Sequence, residues 1–169
     1  LAINDSGTAT VQISDSYTVA SSVATVSAAI TVTAVGAVWT GTLAFDKATY
    51  APGEKAIITL TAKDYAGKNV MNGAHSPFAA PAATGQYWGS LTPTFGTGSD
   101  FTTLASYLAA TTFVSGVDNA VVYMPSVAGT YTWSETTQGV NKTAVTASFS
   151  VVDPAATAAA AATAAAKDA

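Results

Sequence analysis

The sequence predicts an all-β chain, a sandwich of short antiparallel strands. Three observations predict it. Polar and apolar residues alternate in short runs, as in "KAIITLTAK". Those runs are rich in Val, Ile, Thr and aromatic residues, which suit a pleated, half-buried surface. Pro-Gly, Asp-x-x-Gly and Asn-Gly turns separate them.

The elements follow in chain order. "TATVQIS", residues 8–14, places Ala9, Val11 and Ile13 on one face. Residues 17–38 carry two or three short β-branched runs, Val23–Val26 and Ile30–Val35 among them, and Gly36 ends the pattern. "VWTGTLAFD" puts Trp39, Gly41, Leu43 and Phe45 on one side of a strand. A turn at Pro52-Gly53 follows. The next strand faces Ile58, Leu60 and Ala62 one way and Ile57, Thr59 and Thr61 the other. "DYAG" turns the chain, and "KNVMNG" is expected to begin a third strand that stops at Asn72-Gly73.

Residues 73–103 hold three prolines and many Gly and Ser, and read as a long loop system. Residues 102–113 fit a short helix or a strand. "NAVVYMPS" and "AGTYTWSETT" are strands, the second with Tyr131 and Trp133 on one face. "KTAVTASFSVV" closes the set, with Val145, Ala147, Phe149 and Val151 inward. The expected core is Trp39, Leu43, Phe45, Ile58, Leu60, Val122, Trp133 and Phe149, at about 1.5–3 kcal/mol each.

At Asp153 the composition changes. Asp153 is placed as an N-cap, Pro154 at the first helical position, and an alanine-rich helix follows. With no large apolar side chain, such a helix packs through its alanines, extends into a longer stalk, or frays. Three segments result: N-terminal strands at 1–37, read as an extension that exchanges strands or belongs to a preceding domain; a sandwich at 38–152; and the helix or stalk start at 153–169.

Composition excludes several functions. Only 16 of 169 residues are charged, for a net charge of −4, and all six cations are lysine. That argues against a nucleic-acid partner. With no cysteine, disulfides, zinc-thiolate sites and thiol nucleophiles are absent. No apolar run reaches the ~20 residues of a membrane span. The chain opens at Leu1 with no charged leader, and is read as a processed protein or a segment of a longer one. A weakly charged surface rich in Thr, Ser, Ala and Gly favours self-association.

"FDKATYAPGEKAIITLTAKDYAGKNV" resembles the start of bacterial immunoglobulin-like domains found in tandem on surface proteins. Asp46-Lys47, then Tyr50, Pro52, Gly53 and Glu54, then Asp64, Gly67 and Val70 carry the likeness, with "VAGTYTWS" near the end. It covers about residues 38–152. With the alanine-rich tail, the chain is similar to actinobacterial S-layer-like or surface-filament proteins with a helical stalk. The resemblance implies an immunoglobulin-like sandwich at the cell surface, with Tyr131 as a corner tyrosine and Glu54 capping a turn.

The candidate site residues are few. His75 is the one histidine and sits in a Pro-Gly-rich loop, where a solvated role is the default over a Ser-His-Asp one. Glu54 and Glu135 are the only glutamates and make a poor hydrolase pair. Oxygen ligands for Ca²⁺ are available at Asp46, Asp64, Asp100, Asp118 and Asn119, with Asp46, Asp64 and Asp118 the leading candidates, though turn aspartates usually cap their own backbone. No other cofactor is expected. Tyr87-Trp88, between two glycines, is the candidate interface or sugar-stacking pair. Asn4 and Asn141 head N-glycosylation triplets.

The expected function is a non-catalytic structural subunit of an extracellular array or filament, its partners copies of itself and cell-envelope glycans. The alternative is an adhesin or carbohydrate-binding module using Tyr87 and Trp88.

Overall fold

The computed structural model describes residues 6–14, 26–75, 78, 87–88, 93–109, 111–137 and 144–168. Eleven strands and two helices are placed among them. In order they are β1 (Gly7–Val11), β2 (Ile30–Ala34), β3 (Thr40–Phe45), β4 (Thr49–Tyr50), β5 (Lys55–Lys63), β6 (Gly73–Ala74), β7 (Tyr87–Trp88), α1 (Leu104–Ala109), β8 (Thr112–Phe113), β9 (Val117–Tyr123), β10 (Gly129–Thr136), β11 (Ala144–Val151) and α2 (Pro154–Asp168).

Two sheets form the sandwich. One is β3-β5-β9, antiparallel throughout. The other is β4-β11-β10-β7, with β4 parallel to β11. The first strand of the sandwich is therefore split: β3 joins one sheet, and after Asp46–Ala48 β4 joins the other. This is the immunoglobulin-like arrangement. Strict alternation drives it. Along β5 every second residue (Ala56, Ile58, Leu60, Ala62) is buried, and along β10 so are Tyr131, Trp133 and Glu135.

Phe149 anchors the core. Tyr131 stacks on it at 5.0 Å, Phe45 lies 4.6 Å away, and Tyr50 and Phe95 lie beyond. The Tyr131 hydroxyl donates to the Val127 carbonyl at 2.7 Å, so the corner tyrosine is in place. Trp133 packs edge-on against Phe78 at 4.9 Å, and its Nε1 has no hydrogen-bond partner among the described residues.

Two turns need a left-handed residue. Gly53 (φ 72°) follows Pro52 in a type II turn closed by Glu54 N–H to the Ala51 carbonyl. Ser115 (φ 53°) and Gly116 (φ 76°) form the type I′ turn between β8 and β9. Asn69 and Asn72 clamp that turn through the Ser115 carbonyl and N–H, each at 2.7 Å.

Four expectations change. Trp39 leaves the core: it precedes β3 and meets the exposed ring of Tyr65 edge-on at 4.9 Å, at the sandwich rim. The third strand expected from Lys68 does not form, because the Asp64–Lys68 turn returns the chain onto the end of β5, leaving one bridge at Asn69 and Val70 buried. Residues 102–113 divide into α1 and β8, since Leu104, Tyr107 and Leu108 are buried at helical spacing. Tyr87-Trp88 is backbone-paired to β10, opposite Ser134 and Trp133. Two residues are too few for alternation to reveal a strand.

The helix α2 starts at Pro154 as expected. Asp153 Oδ1 accepts from the N–H groups of Ala155 (2.9 Å) and Ala156 (3.3 Å). No residue of α2 is buried. No helix among the described residues is long and apolar enough to cross a membrane.

Candidate functional site

Asp46, Lys47, Tyr50 and Glu54 meet where the chain switches sheets. Asp46 Oδ1 accepts from the Tyr50 hydroxyl and the Ile57 N–H, both at 2.8 Å. Burial pushes the Asp46 carboxyl up, but these hydrogen bonds outweigh it and hold the group below its usual value. Tyr50 also accepts from Lys47 N–H, and burial together with the Asp46 bond raises its hydroxyl. Glu54 Oε2 accepts from Ala51 N–H at 2.8 Å while Oε1 pairs with Lys47 Nζ, and these two contacts lower its carboxyl. Asp46, Tyr50 and Glu54 each accept a backbone N–H around this turn. The turn-capping role expected of Glu54 is present.

Asp64 is buried and used in the same way. Its Oδ1 accepts from Lys68 N–H at 2.8 Å and its Oδ2 from Gly36 N–H at 3.3 Å. The second bond, with Trp39 N–H donating to the Lys63 carbonyl at 2.8 Å, fastens residues 36–39 to the sandwich.

Asp100 closes an edge. Its Oδ2 accepts from Val121 N–H at 2.6 Å and its own N–H donates to the Val121 carbonyl. Ser99 Oγ takes Tyr123 N–H, and Gly96 N–H donates to the Tyr123 carbonyl. The outer edge of β9 is thereby covered by the 95–100 loop. Asp118 and Asn119 lie nearby, in a hollow of about 240 Å³ with Asp100, Phe101 and Tyr107. Asn119 accepts from the Thr59 hydroxyl at 2.8 Å. Burial, then the Asp118 charge, raises the Tyr107 hydroxyl. The calcium candidates Asp46, Asp64 and Asp118 are thus on separate parts of the fold. Among the described residues no three metal-binding side chains gather.

His75 Nε2 lies 2.8 Å from the Met71 carbonyl, and its ring is beside Phe113. Glu135 is buried on β10, and its Oε1 accepts from Thr136 N–H. A cleft of about 480 Å³ is lined by Gly53, Phe95, Met124, Pro125, Val127 and Tyr131. Among the described residues its one ionisable group, Tyr131, donates its hydroxyl to the Val127 carbonyl. Asn4 and Asn141 lie outside the described residues, as do the side chains of Tyr87 and Trp88, whose backbone forms the short edge strand β7.

What the sequence reading missed is a pattern of hydroxyls. On the outward face of β10–β11, Thr130 pairs with Ser150 (3.2 Å), Thr132 with Ser148 (3.1 Å) and Ser134 with Thr146 (3.1 Å). Thr42 and Thr61 make a similar pair on the other sheet. The signal was present in "GTYTWSET" and "TASFSV" as a hydroxyl at every second position, but only the register shows that they meet.

The chain matches no protein-family model and no curated protein sequence. It is similar to solved structures of three surface proteins. These are the Yersinia pseudotuberculosis adhesin InvE (24% identity, 67% of this chain and 26% of that one, TM-score 0.38), the Escherichia coli adhesin FdeC (19%, 74% and 35%, 0.39), and domains 4 and 5 of the S-layer protein SbsC (16%, 87% and 66%, 0.32). The chain spans about a quarter to a third of the two adhesin structures.

Proposed function

We propose that the protein is a non-catalytic structural module of an extracellular, cell-surface assembly, and that it associates with copies of itself. The observation that carries this is the outward face of β10–β11. It is a regular array of paired hydroxyls with no charged side chain on it. One hydroxyl of each pair donates to the other across the strands, which leaves one O–H per pair free to donate to an acceptor on a second flat face. No charge opposes a like charge on a second copy. The ionisable groups support the same reading, because the carboxylates of Asp46, Glu54, Asp64 and Asp100 hold turns and edges. The exposed alanine face of α2 offers a second contact of the same low charge.

Lysines on the hydroxyl face test this. Thr132→Lys with Ser148→Lys places two like charges opposite each other on every copy. Sedimentation velocity is expected to show large species for the parent and single particles for the variant, with unchanged circular dichroism. Equal sedimentation of the two would remove the face from the assembly.

A second reading, an adhesin or glycan-binding module, draws on Tyr87 and Trp88 at a sheet edge. It requires glycan-array binding that Trp88→Ala abolishes while assembly persists.

A further inference from the structure

The strand pair β1–β2 is like β10–β11 on one side. Thr8 faces Thr33 and Thr10 faces Thr31, as Thr130 faces Ser150 and Thr132 faces Ser148. The other sides differ. On β10–β11 that side holds Tyr131, Trp133, Ala147 and Phe149, all buried. On β1–β2 it holds Gly7, Ala9 and Val11 opposite Ala34, Val32 and Ile30. Among the described residues nothing covers it: Val11 is 48% exposed, Val32 49% and Ile30 57%. Ile13 continues the series beyond β1 and is 71% exposed.

This apolar face is a wedge. Side chains grow along the first strand from Gly7 through Ala9 and Val11 to Ile13. The second strand matches them level by level, with Ala34 opposite Gly7, Val32 opposite Ala9 and Ile30 opposite Val11. The thin end leaves a hollow of about 280 Å³, lined by Ser6, Gly7, Thr8, Ala9, Val32 and Ala34. No charged residue occurs in 6–14 or 26–45. A two-stranded pair is marginal alone in water, and strands that alternate in this way pack one face.

The wedge selects its cover. A partner of even thickness would meet the thick end and leave a void over the thin one, and a void forfeits contacts. A second wedge turned end for end fills the gap at constant depth. The chain itself supplies that second wedge. Of the eleven exposed large apolar side chains among the described residues, four lie on this face, and no other strand pair carries more than one.

We propose that the β1–β2 faces of two copies pack on each other about a two-fold axis, thick end on thin end. Val11 and Ile30 of one copy then lie over Ala9 and Val32 of the other, and Ile13 enters the hollow beside Gly7 and Ala34. Each contact occurs twice, as in any isologous interface. The face spans about 20 Å along the strands and about 10 Å across, so the pair buries several hundred Å², less than a permanent dimer does. Pairing is therefore reversible and rises with protein concentration. The inference rests on the self-association proposed above only in taking a copy as the partner, and the face is a different one.

Sedimentation velocity tests it on the 169-residue chain carrying Thr132→Lys and Ser148→Lys, so that the hydroxyl face is silent. Single chains at about 1 μM and pairs by about 1 mM are expected. Val32→Lys, added to that chain, should give single chains at every concentration with unchanged circular dichroism. Ala34→Ile fills the thin end, and Ile13→Ala removes the side chain that would enter it. Each alone should weaken pairing about tenfold. Together they again set a large side chain against a small one, and pairing should return close to its starting strength. Single chains at every concentration before any of these additions would overturn the proposal, whatever the parent chain does. So would a Val32→Lys variant that still pairs. An Ala34→Ile with Ile13→Ala variant no stronger than either alone would also overturn it, and would point to another segment or another protein as the cover. If the parent and the lysine variant sediment alike while Val32→Lys abolishes pairs, the hydroxyl face fails and this one stands.

Discussion

Asp46 shows how a single residue serves the switch between sheets. One oxygen takes both the Tyr50 hydroxyl and the Ile57 N–H, and its folded pKa is depressed. A depressed carboxylate contributes stability above its unfolded value and loses it as pH falls through the folded one. Stability should therefore decline below about pH 5 as the unfolded chain takes up the proton first. Asp46→Asn keeps the accepting oxygen but cannot titrate. Urea midpoints measured from pH 7 downward should fall less steeply for Asp46→Asn than for the parent. Tyr131→Phe tests the corner. It keeps the ring stack on Phe149 and leaves the Val127 carbonyl without its donor, at about 0.5–1.5 kcal/mol in urea unfolding.

Among the elements, the Ser115-Gly116 turn is the most tightly constrained. A Cβ at Gly116 would lie 2.5 Å from the Asn69 Cβ, and φ is +76°. The left-handed backbone alone costs an L-residue about 1–2 kcal/mol, and the clash adds to it. Gly116→Ala should lower stability by more than that amount in denaturant melts, and should speed hydrogen exchange at the Val114 and Val117 amides that close the turn. The helix α2 depends on propensity and its cap, because none of its 15 residues is buried. Removing the cap with Asp153→Ala costs about 1 kcal/mol. Far-ultraviolet circular dichroism should lose its helical component while the unfolding midpoint of the sandwich stays put.

At the scale of the whole molecule, long alternating strands were legible in the sequence and short or distant pairings were not. β5, β9, β10 and β11 each run seven to nine residues, long enough for period two to show. The Pro52-Gly53 turn, the Tyr131 corner and the Asp153 cap were legible because each is a local motif with a local bond. β6, β7 and β8, at two residues each, were not, and neither was α1 at six. Trp39 was misplaced because alternation assigns a face without saying where the core stops. The hydroxyl pairs and the likeness of β1–β2 to β10–β11 depend on register, which is set by contacts far apart in sequence. Of the candidate site, the turn role of Glu54 was legible, while Asp64 gave no sign that it would also hold Gly36.

A molecule whose carboxylates fasten turns, and whose broad face is uncharged and hydroxyl-lined, is suited to packing against itself. Negative-stain electron microscopy of the purified protein at neutral pH is the most direct test of that claim. Ordered sheets or fibres with a repeat of one sandwich are the expected result. Dispersed single particles at high protein concentration would contradict it.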